Sequence, residues 1–528
     1  MRNKIIKISS LFLLLIMVIS TCLIFADRKS GMFIDEIYTY GLSNNHQGAY
    51  LNSIKDRSLE DKVFSRQDLL DYVVVNNGES FDFKAVYYNQ AEDVHPPLYY
   101  WLFNIASSLT PGVFSKWTGI VLDLVIYTAA LVFLYMLLNR LFKSHLVSLA
   151  GVAVYGFSLL GFNTALMIRM YVLVTMLTVL LAYLIARLME EKKASLYILT
   201  ALTIFAGVMT QYYFVFYAFF LCGFYVFYCL YKKDFKGTLV FALSAFAGIG
   251  LMLICFPHCL DQLFADKLVS GGNAVENLSN TSQYAERLMY YYSEVRHGLK
   301  AAIIIGLAVF AALLVFTKKV LKSIKNGDIQ LKSLLFIVPA FITLVLVALI
   351  SPVMDQRYVY NIVPMFVVAV CLLIHALEVS TADIKFFNYL KWAALILLIL
   401  FTLFFARRST PIYQYPEHEN YNTMLSQYSE SPCLFITDEH FEGPTQSFIQ
   451  LLSFDSVFMS SNPDSAALDD YLAGFGSDVC VVYIDVDKFW SSGFDAEEML
   501  SRILESTEFE SSDMLYSYGL TQTYLLSK

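Results

Sequence analysis

Eleven apolar stretches recur between the N-terminus and residue 406, each close to the ~20 residues that a bilayer-crossing helix requires. They lie near 5–26, 117–139, 145–165, 171–189, 195–210, 214–231, 237–257, 299–317, 333–351, 359–377 and 388–406. Such a pattern excludes an ordinary water-soluble fold for this region. Only 16% of the 528 residues are charged, against ~25% in a typical soluble chain. Most of the chain must therefore be solvated by lipid, as an α-helical polytopic membrane protein.

Lys and Arg in the short connections set the orientation. Arg2, Lys4 and Lys7 stand at the start of the first stretch. Taken as inside, they are followed on the same side by Arg140 and Lys143, by Lys192 and Lys193, and by Lys232, Lys233 and Lys236. The remaining inside loops carry Lys318, Lys319, Lys322, Lys325 and Lys332, then Lys385 and Lys391. Short connections on the other side hold Arg169 and Arg357 and little further positive charge. The pattern predicts a multi-pass protein of the cytoplasmic membrane, with a cytoplasmic N-terminus and an extracytoplasmic C-terminus. A basic start with an apolar middle also suits a signal peptide, but no small-x-small cleavage pattern precedes Asp27, which favours an uncleaved anchor.

Three segments outside the spans are long enough to fold. Residues 27–116 form a first outer loop and 258–298 a second, within a membrane domain 1–406. Residues 407–528 form a tail with 20 acidic residues against 5 basic ones. So acidic a tail argues against nucleic acid as a partner. Cys433–Ile436 and Val479–Ile484 read as short strands, with helical spacing over 445–453, 465–473 and 495–506. The alternation predicts an extracytoplasmic α/β domain with a largely parallel sheet. The eight cysteines lack metal-ligand spacing and read as buried thiols.

Against this threading, several polar groups gather on the outer side. Asp35-Glu36 follows the first span. Adjacent helix residues point about 100° apart, so one carboxylate is the working group and the other structural. His95-Pro96-Pro97 precedes the aromatic run Tyr99-Tyr100-Trp101, and the prolines suit the first turn of a helix lying in the interface over 95–109. Arg169 and Arg357 stand at span ends against the charge bias, where a guanidinium grips phosphate with two parallel hydrogen bonds. Asp123, inside the second span, either lines the same cavity or pairs with Lys116. Asp485-Val486-Asp487 has the spacing of a metal motif, but in so acidic a tail a solvated loop accounts for it.

These residues resemble the polytopic GT-C glycosyltransferases, in particular bacterial members of the protein O-mannosyltransferase and aminoarabinose transferase superfamily. The resemblance rests on Asp35-Glu36-Ile37-Tyr38, His95-Pro96-Pro97-Leu98-Tyr99-Tyr100-Trp101-Leu102, Arg169-Met170-Tyr171-Val172-Leu173 and Arg357-Tyr358 followed by Pro364, and it covers about residues 1–375. It implies inverting transfer of a sugar, hexosyl or pentosyl, from a polyprenyl-phosphate donor to a lipid, glycan or protein acceptor on the outer face. It also implies Asp35 as base with Glu36 in support. His95, Arg169 and Arg357 become phosphate contacts, and Tyr99, Tyr171, Gln211 and Tyr358 further substrate contacts. No cofactor is required, and nothing in the sequence calls for a divalent metal. Two positions depart from the family pattern. Met167-Ile168 stands where relatives often place Gln-Glu-Ala, and Gln211-Tyr212-Tyr213 where many carry His-Tyr-Tyr. The competing readings are a transporter or flippase of lipid-linked sugar and a non-catalytic membrane scaffold. Spans almost clean of charge count against the former. A scaffold leaves the outward cluster of acid, imidazole and guanidinium without a purpose.

Overall fold

A backbone inside lipid must satisfy its own hydrogen bonds, which leaves the helix as the natural state of a long apolar run. The computed structural model describes residues 2–55, 61–264, 276–329, 331–462, 466–475, 477–488 and 493–528, and all eleven apolar stretches coincide with helices in it. Among the described residues, eight helices are long and apolar enough to cross a membrane, or up to ten spans if each of two bent helix pairs counts as one. The expected eleventh falls on Ala194–Val208, whose 15 residues reach only ~22 Å at 1.5 Å per residue. One bent pair, His145–Gly156 with Leu159–Leu166, turns by 65°, and the other, Thr281–Gly298 with Lys300–Val315, by 82°. Ser158 starts the second helix of the first pair by accepting a hydrogen bond from the Gly161 amide at 3.0 Å.

The chain divides into two compact units. The first comprises Met1–Asp27, Val94–Tyr99 and Ile120–Pro411, and the second Arg28–Asp93, Tyr100–Gly119 and Ile412–Lys528.

The second unit is built on one six-stranded sheet. Its strands are β1 (Lys62–Ser65), β2 (Cys433–Ile436), β3 (Ser456–Ser460), β4 (Val479–Asp485), β5 (Ser511–Tyr518) and β6 (Thr521–Ser527), in the order β1-β3-β2-β4-β6-β5. Only β2–β3 and β2–β4 are parallel; β1–β3, β4–β6 and β5–β6 are antiparallel. The expected largely parallel sheet is thus a mixed one. The difference comes from the β5–β6 hairpin and from β1, a piece of the first long loop that adds an edge strand with Phe64 opposite Val457. Leu434, Ile436, Val482, Ile484 and Leu526 from the sheet pack with Met499 and Ile503 of helix Ala496–Ser506 to form its core. Cys433 and Cys480 are buried in neighbouring strands, and both are free thiols.

Candidate active site

In the second unit, the segment after Asp27 is drawn into place by backbone and charge. Ser30 donates its amide to the Gln414 carbonyl at 2.8 Å. Gly31 leaves room for His418, whose Nδ1 would lie 2.3 Å from a Cβ at that position. Helix Ile34–Asn44 then begins with a reciprocal cap. The Glu36 carboxylate accepts the Phe33 amide at 2.7 Å and the Lys29 ammonium at 2.8 Å. Both side chains of this ion pair are fully buried, and Lys29 also donates to the Tyr413 carbonyl at 2.6 Å. Glu36 is thereby engaged in holding the helix start, while the neighbouring Asp35 is half-buried.

Tyr38 lies three residues on from Asp35, so the two share a helix face. Its hydroxyl donates a hydrogen bond to Glu442, the first residue of the short helix Glu442–Gln446, which packs against helix Ile34–Asn44. Glu442 is presented by Phe441, a non-glycine residue in the left-handed region at φ 57°. The ring of Phe441 packs edge-on against Phe64 of β1, with centroids 5.8 Å apart, which offsets the backbone strain. Asp485 closes the other side. It is fully buried at the end of β4, with its Oδ2 2.8 Å from where a Cβ on Gly443 would stand. The solvated-loop reading of Asp485-Val486-Asp487 is therefore corrected: the first acid belongs to the interior because the strand runs on through it.

Burial pushes the Glu442 carboxyl up from its ordinary 4.5 to about 7, and the charges of Asp35, Asp485 and Asp438 push in the same direction against the Tyr38 hydrogen bond. The folded protein then holds this proton between about 4.5 and 7, where the unfolded chain has already lost it. Stability from this group is fully present below the lower value and is lost as pH rises through the upper one. Glu442→Gln is expected to leave the melting temperature unchanged near pH 4.5 and to raise it above wild type at pH 8, as read by thermal unfolding of the purified protein at both pH values.

In the first unit, the His95-Pro96-Pro97 motif is pinned by the Leu98 amide, which donates to the Met209 carbonyl at 3.0 Å. His95 is half-buried. Tyr99 donates its hydroxyl to Asp123 at 2.7 Å, and both are fully buried, so Asp123 is engaged by this tyrosine within the helical core. Arg169 sits in the break between helices Leu159–Leu166 and Tyr171–Leu188 and is 2% exposed. That burial rules out the snorkelling common for arginines at span ends. Tyr171 meets the ring of Tyr360 edge-on at 6.1 Å, and Tyr358 stacks on Tyr213 at 4.9 Å. Gln211 accepts the Tyr213 amide at 3.4 Å. Arg357 pairs with Asp355 at 3.6 Å and lies 5.4 Å from the Tyr358 ring. Asn163 donates to Gln356 at 3.3 Å and ties this wall to helix Leu159–Leu166.

The structure thus gathers Tyr171, Gln211, Arg357 and Tyr358 into one wall of rings and a guanidinium, with Arg169 two residues from Tyr171 on the adjoining break. Asp35 and Glu36 belong to the second unit, beside Tyr38 and Glu442. Sequence reasoning missed Glu442, for which no local signal exists. It also missed Arg287, a buried residue donating to the Ala348 carbonyl at 2.8 Å and the Ser351 hydroxyl at 2.9 Å. Arg287 thereby caps helix Leu334–Ile350 just ahead of Asp355. Among the described residues, no three His, Cys, Asp or Glu side chains are placed to hold a metal ion.

Residues 94–259 match a family described as dolichyl-phosphate-mannose-protein mannosyltransferase. Among solved structures the chain is similar to ArnT from Cupriavidus metallidurans bound to undecaprenyl phosphate, with TM-score 0.50 and 10% identity over 97% of each chain. The apo state of that protein gives TM-score 0.45 and 10% identity over 97% of each chain. The oligosaccharyltransferase of Archaeoglobus fulgidus, tethered with an acceptor peptide, gives 0.41 and 10% identity, over 82% of this chain and 65% of that one. These last two likenesses are too weak to carry weight. No curated protein matches the sequence. By its fold and by the match over 94–259, the chain is a multi-pass membrane protein that resembles the GT-C glycosyltransferases of the protein O-mannosyltransferase and aminoarabinose transferase type.

Proposed function

We propose that this protein transfers a sugar from a polyprenyl-phosphate donor to a hydroxyl-bearing lipid, glycan or protein acceptor on the outer face of the membrane. The observation that carries the reading is the division of labour between two adjacent carboxylates. Glu36 is tied into the buried cap with Lys29, while Asp35 stands half-buried on the helix face that it shares with Tyr38. Asp35 takes the acceptor proton as the acceptor oxygen attacks the anomeric carbon. The bond from that carbon to the phosphate oxygen breaks, polyprenyl phosphate leaves with the electron pair, and the anomeric centre inverts. Negative charge grows on the leaving phosphate, and cationic Arg169 and Arg357 stabilise it there. His95, Tyr99, Tyr171, Gln211 and Tyr358 are assigned to substrate contact. The N-terminus is cytoplasmic and the tail extracytoplasmic, as the Lys and Arg distribution favours.

Purified protein in liposomes, supplied with polyprenyl-phosphate sugars and acceptor extract from the host, tests the reading through release of free polyprenyl phosphate, followed by mass spectrometry. Release that depends on both donor and acceptor is the expected result; no release in the complete system overturns the assignment. In the same assay Arg357→Gln is expected to lower kcat/KM roughly 100-fold, the scale for loss of one donor to a developing anion. The Arg357 side chain is only 11% exposed and pairs with Asp355, so the melting temperature should fall as well, and the comparison is made at a temperature where the variant is still folded.

A further inference from the structure

A second basic site lies in the first unit, apart from the residues assigned above. Between the two helix breaks is a cavity of about 520 Å³, a size suited to a small ligand or headgroup. Lys300 at the start of helix Lys300–Val315, Arg408 just past the end of helix Lys385–Arg407, and His297 line it. Gly298 makes this shape possible by packing against Leu160, whose Cγ would lie 2.2 Å from a Cβ there. Arg408 stands 4.4 Å from the centre of the Phe404 ring and Lys300 5.7 Å from that of Phe405, so each cation rests over an aromatic face. Neither Lys300 nor Arg408 has an ion-pair partner among the described residues.

Snorkelling accounts for one cation at a span end. It does not account for two, from helices distant in sequence, converging on one cavity with aromatic and aliphatic walls. We propose that this cavity holds the phosphate headgroup of an anionic membrane phospholipid. Lys300 and Arg408 bind the phosphate, while Phe404, Phe405 and Leu159 receive the start of the acyl chains. Charge complementarity selects an anionic headgroup, and the position at the ends of two apolar helices selects a bilayer lipid as its source. The assignment stands whether or not the protein transfers sugar.

The test is native mass spectrometry of the full-length protein released from membranes of mixed phosphatidylglycerol and phosphatidylcholine, followed by titration with phosphatidylglycerol. Wild type should retain one phosphatidylglycerol in preference to phosphatidylcholine. The double variant Lys300→Gln/Arg408→Gln should bind it on the order of 30-fold more weakly, from about 1 kcal/mol per cation. The control variant Lys322→Gln/Lys325→Gln, which removes the same charge from helix Thr317–Asn326, should bind like wild type. Equal weakening in both variants overturns the proposal in favour of general surface attraction. Displacement of the retained lipid by equimolar polyprenyl phosphate overturns it in favour of a donor site. Displacement by low millimolar inorganic phosphate overturns it in favour of a site for free phosphate.

Discussion

Replacing Asp35 by Asn is expected to lower sugar transfer roughly 10³-fold, within the range that a positioned general base contributes. Asn keeps the size of the side chain and removes its capacity to accept the acceptor proton. The helix itself should survive. Asp35 is half-buried in the first turn, where exchanging a carboxylate for an amide forfeits only about 0.3–1 kcal/mol of favourable interaction with the helix dipole. The Glu36–Lys29 cap, which fixes the turn, is untouched. Measured as polyprenyl-phosphate release in liposomes, the variant should therefore be inactive, with a melting temperature within a few degrees of wild type. Equal release by variant and wild type would remove Asp35 from the base role while leaving glycosyl transfer in place. A wild type inactive in the same complete system would instead count against transfer itself.

The features legible in the sequence are those carried by local pattern. Apolar length placed helices at all eleven stretches, because lipid-solvated backbone has no cheaper solution. The adjacent acids Asp35-Glu36 must point about 100° apart on a helix, and of the two it is Glu36 that is tied into the cap with Lys29. The bends were hidden, because hydropathy runs on across Phe157-Ser158 and Leu299 while the turn is decided by a serine cap and by glycine packing. Strand β1 was hidden for a different reason. Four residues of a polar loop become a strand only because β3 offers an open edge, and β3 lies near the other end of the chain. Glu442 shares that cause: its meaning comes from Tyr38 and Asp35, contacts that no spacing rule connects. The β5–β6 hairpin does carry a local signal, Gly519 between alternating Tyr and Thr, and that glycine adopts φ 54° at the turn.

Breaking the Lys29–Glu36 pair should have the largest effect on stability. Lys29→Met leaves the Glu36 carboxylate buried with the Phe33 amide but without its counter-charge, the situation that typically costs about 3–5 kcal/mol. For a unit of this size that corresponds to a melting temperature lower by on the order of 10 °C. Two effects act together. The uncompensated charge disfavours the folded state directly, and the Tyr413 carbonyl loses the ammonium that ties it to the helix start. Adding Glu36→Gln to Lys29→Met should recover much of the loss, because a neutral amide is far cheaper to bury than an unpaired carboxylate. It should not restore activity fully, since the Lys29 bond to the Tyr413 carbonyl remains missing and the first turn carrying Asp35 is less firmly held. Thermal unfolding of the two single variants and the double variant forms a cycle that reports the coupling directly. Strictly additive losses would show that the two side chains do not act as a pair. Full recovery of both stability and transfer in the double variant would show that the charge pair contributes nothing to the placement of Asp35.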